Sequence, residues 1–128
     1  MENWIKASLA GLVGVFAPIY MVMFSAGFLI FVDLITGCWK SVKQGQKITS
    51  AGWRRTVTKM CVYQIALMSG FLAEIYLLDN VIPVSKIVAS AIGMTELLSI
   101  VENVEFIYGE PIFKKLIKKL GSVNDKQD

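Results

Sequence analysis

From Ala7 to Val32 the chain runs 26 residues without a formal charge, and that run decides what the rest can be. As a helix rising about 1.5 Å per residue it reaches roughly 39 Å, beyond the ~30 Å hydrocarbon core of a bilayer. It carries thirteen Leu, Ile, Val or Phe residues, each favouring insertion by about 0.3–0.6 kcal/mol near the bilayer centre. No charge opposes that sum. The competing reading is a cleaved secretory signal with Lys6 as its basic start. Signals hold only about 7–15 apolar residues before a small-residue cleavage site, whereas Gly37-Cys38-Trp39 follows this run. A membrane span over about residues 9–32 fits better.

Composition agrees. Of the 128 residues 55% are hydrophobic and 18% charged, with a net charge of +3 and no histidine; a soluble domain would carry about 25% charged residues. Disordered tails, collagen-like chains and disulfide-stapled secreted modules are excluded. Without histidine the commonest general base and metal ligand are gone. No Ser/His/Asp set, phosphate-binding glycine loop or His/Cys metal grouping is present. The expectation is a small all-α integral membrane protein, a single domain over 1–128, with no catalytic residues, no metal and no cofactor.

Two further apolar runs follow. Met60 to Leu78 holds eight Leu, Ile, Val or Phe residues with Glu74 as its one charge, and predicts a span over 60–78. The third, over 84–104, is rich in Ile, Val and Leu but also contains Lys86, Glu96 and Glu102. Alone in lipid it is marginal, so it needs polar partners, an aqueous cavity or the membrane surface. Charge supplies an independent argument. Lys40, Lys43, Lys47, Arg54, Arg55 and Lys59 lie in the loop between the first two spans, and five lysines follow Tyr108. Three crossings with the N-terminus outside and the C-terminus cytoplasmic place eleven of thirteen cations inside, as the positive-inside rule expects.

Local patterns predict contacts. Thr49 or Ser50 is suited to cap the second helix, while Asp79-Asn80 and Pro83 mark the outer turn. Small residues recur every four positions at Ala7/Gly11, Ala10/Gly14, Ala66/Gly70 and Ser85/Ala89/Gly93. Gly11, Gly14, Gly70, Ala89 and Gly93 are therefore helix-packing candidates. On the third span Glu96, Ser99 and Asn103 follow i, i+3, i+7, and Thr95, Ser99 and Glu102 follow i, i+4, i+7. Such a flank has to face protein or water. Asp33, Glu74, Glu96, Ser99, Glu102 and Asn103 are the candidates for assembly or for lining a water-filled opening, with Asp33 alternatively pairing with Lys40 or Arg54. Cys38 and Cys61 read as reduced structural thiols.

At about 100° per residue, Ile112, Phe113, Leu116, Ile117 and Leu120 share an arc of about 140°, opposite Lys114, Lys115, Lys118 and Lys119. Pro111 suits the start of this helix and Gly121 its end. A basic amphipathic helix over 111–120 is expected on anionic lipid. Nucleic acid is not an expected partner, since no base-reading fold accompanies the lysines.

Phe31-Val-Asp33-Leu-Ile-Thr36-Gly37-Cys-Trp-Lys40, then Ile48-Thr49-Ser50 and Lys59, resembles the phage lysis and toxin-secretion holin family. Glu96-Leu-Leu-Ser99-Ile100-Val-Glu102-Asn103, followed by Gly109-Glu-Pro111-Ile112 and a basic helix, is similar to that family's C-terminal half. The chain departs from the pattern at Phe113, where the family often has proline, and at Trp53-Arg54-Arg55. The resemblance implies a protein of the bacterial cytoplasmic membrane that self-associates into lesions. Those lesions dissipate the membrane potential and release a peptidoglycan hydrolase or a toxin. Two alternatives share the same topology: an antiholin or regulatory adaptor, and a scaffold subunit of a membrane complex.

Overall fold

The computed structural model describes residues 1–124. Among the described residues there are five α-helices: α1 Glu2–Phe16, α2 Tyr20–Lys43, α3 Ser50–Tyr76, α4 Val84–Tyr108 and α5 Ile112–Asn124. A single 3-10 turn, Ala17–Ile19, joins α1 to α2, with Pro18 near its start. Proline removes a backbone donor at that point without ending the helix. Glu2–Lys43 thus forms one 42-residue stretch, extending past the expected span 9–32 at both ends.

Helices α2, α3 and α4 form an up-down-up bundle in which each touches the other two, and the most extensive contact joins α2 and α4. They hold 24, 27 and 25 residues, or about 36–40 Å at 1.5 Å per residue, enough for a ~30 Å bilayer core. Together with α1 they make three helical stretches long and apolar enough to cross a membrane. The chain is an all-α, multi-pass membrane protein.

The bundle is apolar outside. Phe24, Phe28, Phe31, Val62, Ile65, Ile87, Leu97 and Leu98 all face outward, while the apolar core is a small cluster of Ala26, Leu67 and Ile92. Soluble monomers rarely expose apolar patches beyond a few hundred Å², so the solvent this surface suits is lipid. The seam of α4 explains the packing. Ser85, Ile92, Glu96, Asn103 and Ile107 are buried, with Ala89 and Ser99 half-buried between them. Their three- and four-residue spacing is the inward stripe that lets helices interlock side by side.

Local chemistry sets the ends. Thr49 holds the capping position of α3 in an extended conformation, but its hydroxyl makes no capping bond. At the opposite end Asp79 and Asn80 adopt left-handed backbone (φ 46° and 60°), which short polar side chains tolerate better than most. Glu74 closes this turn: one carboxylate oxygen accepts from the Ser85 backbone N–H at 2.9 Å and also from its hydroxyl. It therefore supplies the N-terminus of α4 with an acceptor that Pro83 cannot provide. At the other end Gly109 (φ 69°) stops α4, its N–H donating to the Glu105 carbonyl at 2.9 Å. Helix α5 continues through Gly121 to Asn124, so Gly121 does not end it. A glycine costs only about 1 kcal/mol in a helix interior and is no obligatory stop.

Candidate functional site

Each helix of the bundle brings polar groups to one inward face at helical spacing: Asp33 and Thr36 from α2, Lys59 and Tyr63 from α3, Glu96, Ser99 and Asn103 from α4. Lys59 sits between two acids. Its ammonium donates to Asp33 Oδ2 at 3.0 Å and to Glu96 Oε2 at 2.9 Å. Tyr63 donates to the other oxygen of Glu96 at 2.9 Å. The remaining oxygen of Asp33 accepts from Ser99 Oγ at 2.6 Å and Asn103 Nδ2 at 3.1 Å. Asn103 also donates to Thr36 Oγ1 at 3.1 Å, and Thr36 donates to the Val32 carbonyl at 2.9 Å.

Every carboxylate oxygen in the cluster has a donor, so two acids are held inside an otherwise apolar bundle. The Glu96 side chain has no exposed surface, and that of Asp33 only 15%. Burying such charges costs several kcal/mol each and is repaid only by close pairing and full hydrogen bonding. One lysine shared by two carboxylates leaves a formal charge of −1. The cluster ties all three helices together with directional contacts, which a core of only a few apolar residues does not do.

A cavity of about 420 Å³ opens onto this cluster from the end of the bundle that carries Lys43 and Ser50. Its lining includes Asp33, Gly37, Thr49, Arg55, Lys59 and Asn103. Asp33 and Lys59 are thus reachable from that basic end, whereas beyond them the bundle closes on Ile30, Leu67 and Ile92, each buried.

The sequence-predicted residues divide. Asp33, Glu96, Ser99 and Asn103 meet in one network. Glu102 and Thr95 face outward, so the flank expected to run through Ser99 to Glu102 is split and only the Glu96–Ser99–Asn103 register points inward. Glu74 lies at the far turn with Ser85. Asp33 pairs with Lys59 and not with Lys40 or Arg54: Lys40 reaches over the Phe106 ring, 5.4 Å from its centroid. Lys43, the other cation of that last turn, donates to the Ile107 carbonyl near the end of α4. Among the packing candidates, a Cβ on Gly70 would meet Val84 and Val88 at 3.4 and 3.5 Å, and one on Gly93 would meet Leu29 at 4.0 Å. Ala89 packs against the apolar core. Gly11 and Gly14 have no neighbour within 4 Å of such a Cβ.

Thr36, Lys59 and Tyr63 are the members that sequence reasoning missed as partners. Lys59 read as one more cation of the basic loop. The available signal was its place at the mouth of the second apolar run, four residues before Tyr63, within reach of acids on neighbouring helices.

No curated protein and no solved structure matches the chain. The sequence model of the bacteriophage holin family does, over residues 7–125. Nearly the whole chain is covered, including the three apolar helices and the charged cluster they enclose: this protein belongs to the bacteriophage holin family.

Proposed function

We propose that the protein accumulates in the bacterial cytoplasmic membrane, N-terminus outside and C-terminus cytoplasmic, and self-associates into lesions. These dissipate the membrane potential and let a peptidoglycan hydrolase or a folded toxin leave the compartment where it was made. The observation that carries this reading is the inverted distribution of polarity. Apolar side chains cover the bundle, while Asp33, Lys59, Glu96, Ser99 and Asn103 are sequestered inside it and hydrogen-bonded to one another. Such a molecule is tolerated singly in lipid, yet it holds a stripe of water-compatible groups on every helix. When copies associate and the helices separate, Asp33, Glu96, Ser99 and Asn103 exchange their mutual contacts for water in a shared opening, and the apolar faces stay in lipid. Family membership supports the same role and assigns the chain no catalysis.

Inducible expression in a bacterium loaded with a potential-sensitive dye tests it. The expected result is an abrupt loss of potential after a delay, with release of a co-expressed hydrolase. Undiminished potential at full membrane accumulation overturns the reading, and delayed lysis on co-expression with an active holin would identify a regulator in its place.

A further inference from the structure

The apolar edge of α5 is uncovered: Leu116, Ile117 and Leu120 are 55%, 55% and 65% exposed. Lys114, Lys115, Lys118 and Lys119 are exposed on the other side of the same helix. Where this helix sits follows from the bundle. Trp39 lies six residues beyond Asp33, and Trp53 six residues before Lys59, and these two are ion-paired. At about 1.5 Å per residue both indoles therefore stand about 9 Å beyond the charged cluster, at one level. Tyr108 ends α4 at the same end of the bundle, where Lys40 and Lys43 contact Phe106 and Ile107. All three rings are exposed. Exposed Trp and Tyr side chains at one level of a membrane bundle mark the boundary between acyl chains and headgroups.

Only Gly109, Glu110 and Pro111 separate α4 from α5, a link that spans about 10 Å at most. Helix α5 therefore begins at the headgroup layer. Arg54 and Arg55 are exposed at the same level, beside Trp53. Glu110 is the one acid in the connection, and it pairs with Lys115 at 2.5 Å. The hydrogen bond from Lys115, and then its charge, hold the Glu110 carboxyl below the ordinary carboxylate range.

We propose that α5, with Arg54 and Arg55, forms a binding surface for anionic phospholipid. The helix lies in the membrane plane with Leu116, Ile117 and Leu120 in the acyl boundary and its lysines on headgroup phosphates. Charge complementarity selects this occupant. A neutral interface would satisfy the apolar edge but offer no counter-charge to Lys114, Lys118 and Lys119, since Glu110 pairs with Lys115, and each lysine close to an anionic surface strengthens docking by about fivefold. Such docking requires no lesion.

The test uses full-length protein reconstituted into vesicles of phosphatidylcholine, with or without phosphatidylglycerol. A polarity-sensitive dye is attached at Leu116→Cys in a Cys38→Ser, Cys61→Ser background. The expected result is blue-shifted emission, quenched by brominated acyl chains, in the anionic vesicles. Replacing the four lysines by glutamine should lower the docked population by roughly tenfold or more. The same dye at Leu97→Cys, on the outward face of α4, should report lipid in both compositions and so establishes that the bundle is inserted. Emission at position 116 that is independent of lipid charge overturns the proposal. So does protection accompanied by crosslinking between copies at that position, which would make the occupant a second protein chain.

Discussion

Lys59 holds a position that no other side chain of the bundle can fill, since its ammonium bridges Asp33 and Glu96 on two different helices. Lys59→Met leaves two carboxylates facing each other without a cation. Breaking a buried pair from one side costs about 3–5 kcal/mol, so this variant should lose much of its thermal stability in detergent or fail to accumulate. Glu96→Gln is a sharper comparison. It keeps an acceptor for Tyr63, whose hydroxyl lies 2.9 Å from Glu96, and leaves Lys59 and Asp33 as a neutral one-to-one pair. Its loss should be clearly smaller than that of Lys59→Met, measured as the shift in unfolding midpoint of the two purified proteins. Equal losses would mean that the acid, and not the shared cation, holds the cluster together. At this scale the sequence is only partly readable. The i, i+3, i+7 spacing of Glu96, Ser99 and Asn103 announces an inward polar face. Which cation answers it depends on how far α3 slides along α2, and that register is a packing outcome with no local signature.

At the scale of elements, the glycines of the small-residue stripes serve different purposes. Gly70 lies where α3 meets the start of α4, close to Val84, Ser85 and Val88. Gly70→Ala adds a methyl at ordinary contact distance, whereas Gly70→Leu overfills the site and should cost about 1–3 kcal/mol. A Cβ at Gly14 has no neighbour within 4 Å, so Gly14→Leu should leave the unfolding midpoint of the isolated protein within experimental scatter. A midpoint lowered as far by Gly14→Leu as by Gly70→Leu would contradict the separation. The helices themselves are legible from length and hydropathy, as is the turn at Asp79-Asn80, whereas the stop at Gly109 comes from the structure. The end of α5 is not. Gly121 is favoured as a stop by preference alone, but Ser122, whose hydroxyl donates to the Lys119 carbonyl at 2.9 Å, lies within the continuing helix.

For the whole molecule, the charge count and the apolar runs of the sequence yield the same three apolar segments that the structure builds into helices. What they leave open is how those segments share one bundle. Burial on α2 is confined to its own length, at Ala26 and Ile30, with Ile19 just before it, whereas α1 buries no residue. The end of α1 meets the bundle through the Phe16 ring, 6.3 Å from that of Phe71. An aromatic pair of this kind contributes about 0.5–1.5 kcal/mol beyond its area. A chain lacking residues 2–16 should therefore keep the α2–α3–α4 contacts and lose no more than about 1–2 kcal/mol of stability, measured by helical content and thermal unfolding in detergent. Collapse of the remaining helices would show that the N-terminal segment is an integral part of the fold.

A 15-residue helix of this kind, about 22 Å long and carrying Trp4, Ile5, Leu9 and Leu12 on its surface, finds no shelter among the described residues. Its surroundings have to supply one, either acyl chains or the same segment of a neighbour, and the balance between these shifts with crowding in two dimensions. Were neighbouring copies to replace acyl chains there, the cover of this segment would grow with the number of chains already in the membrane.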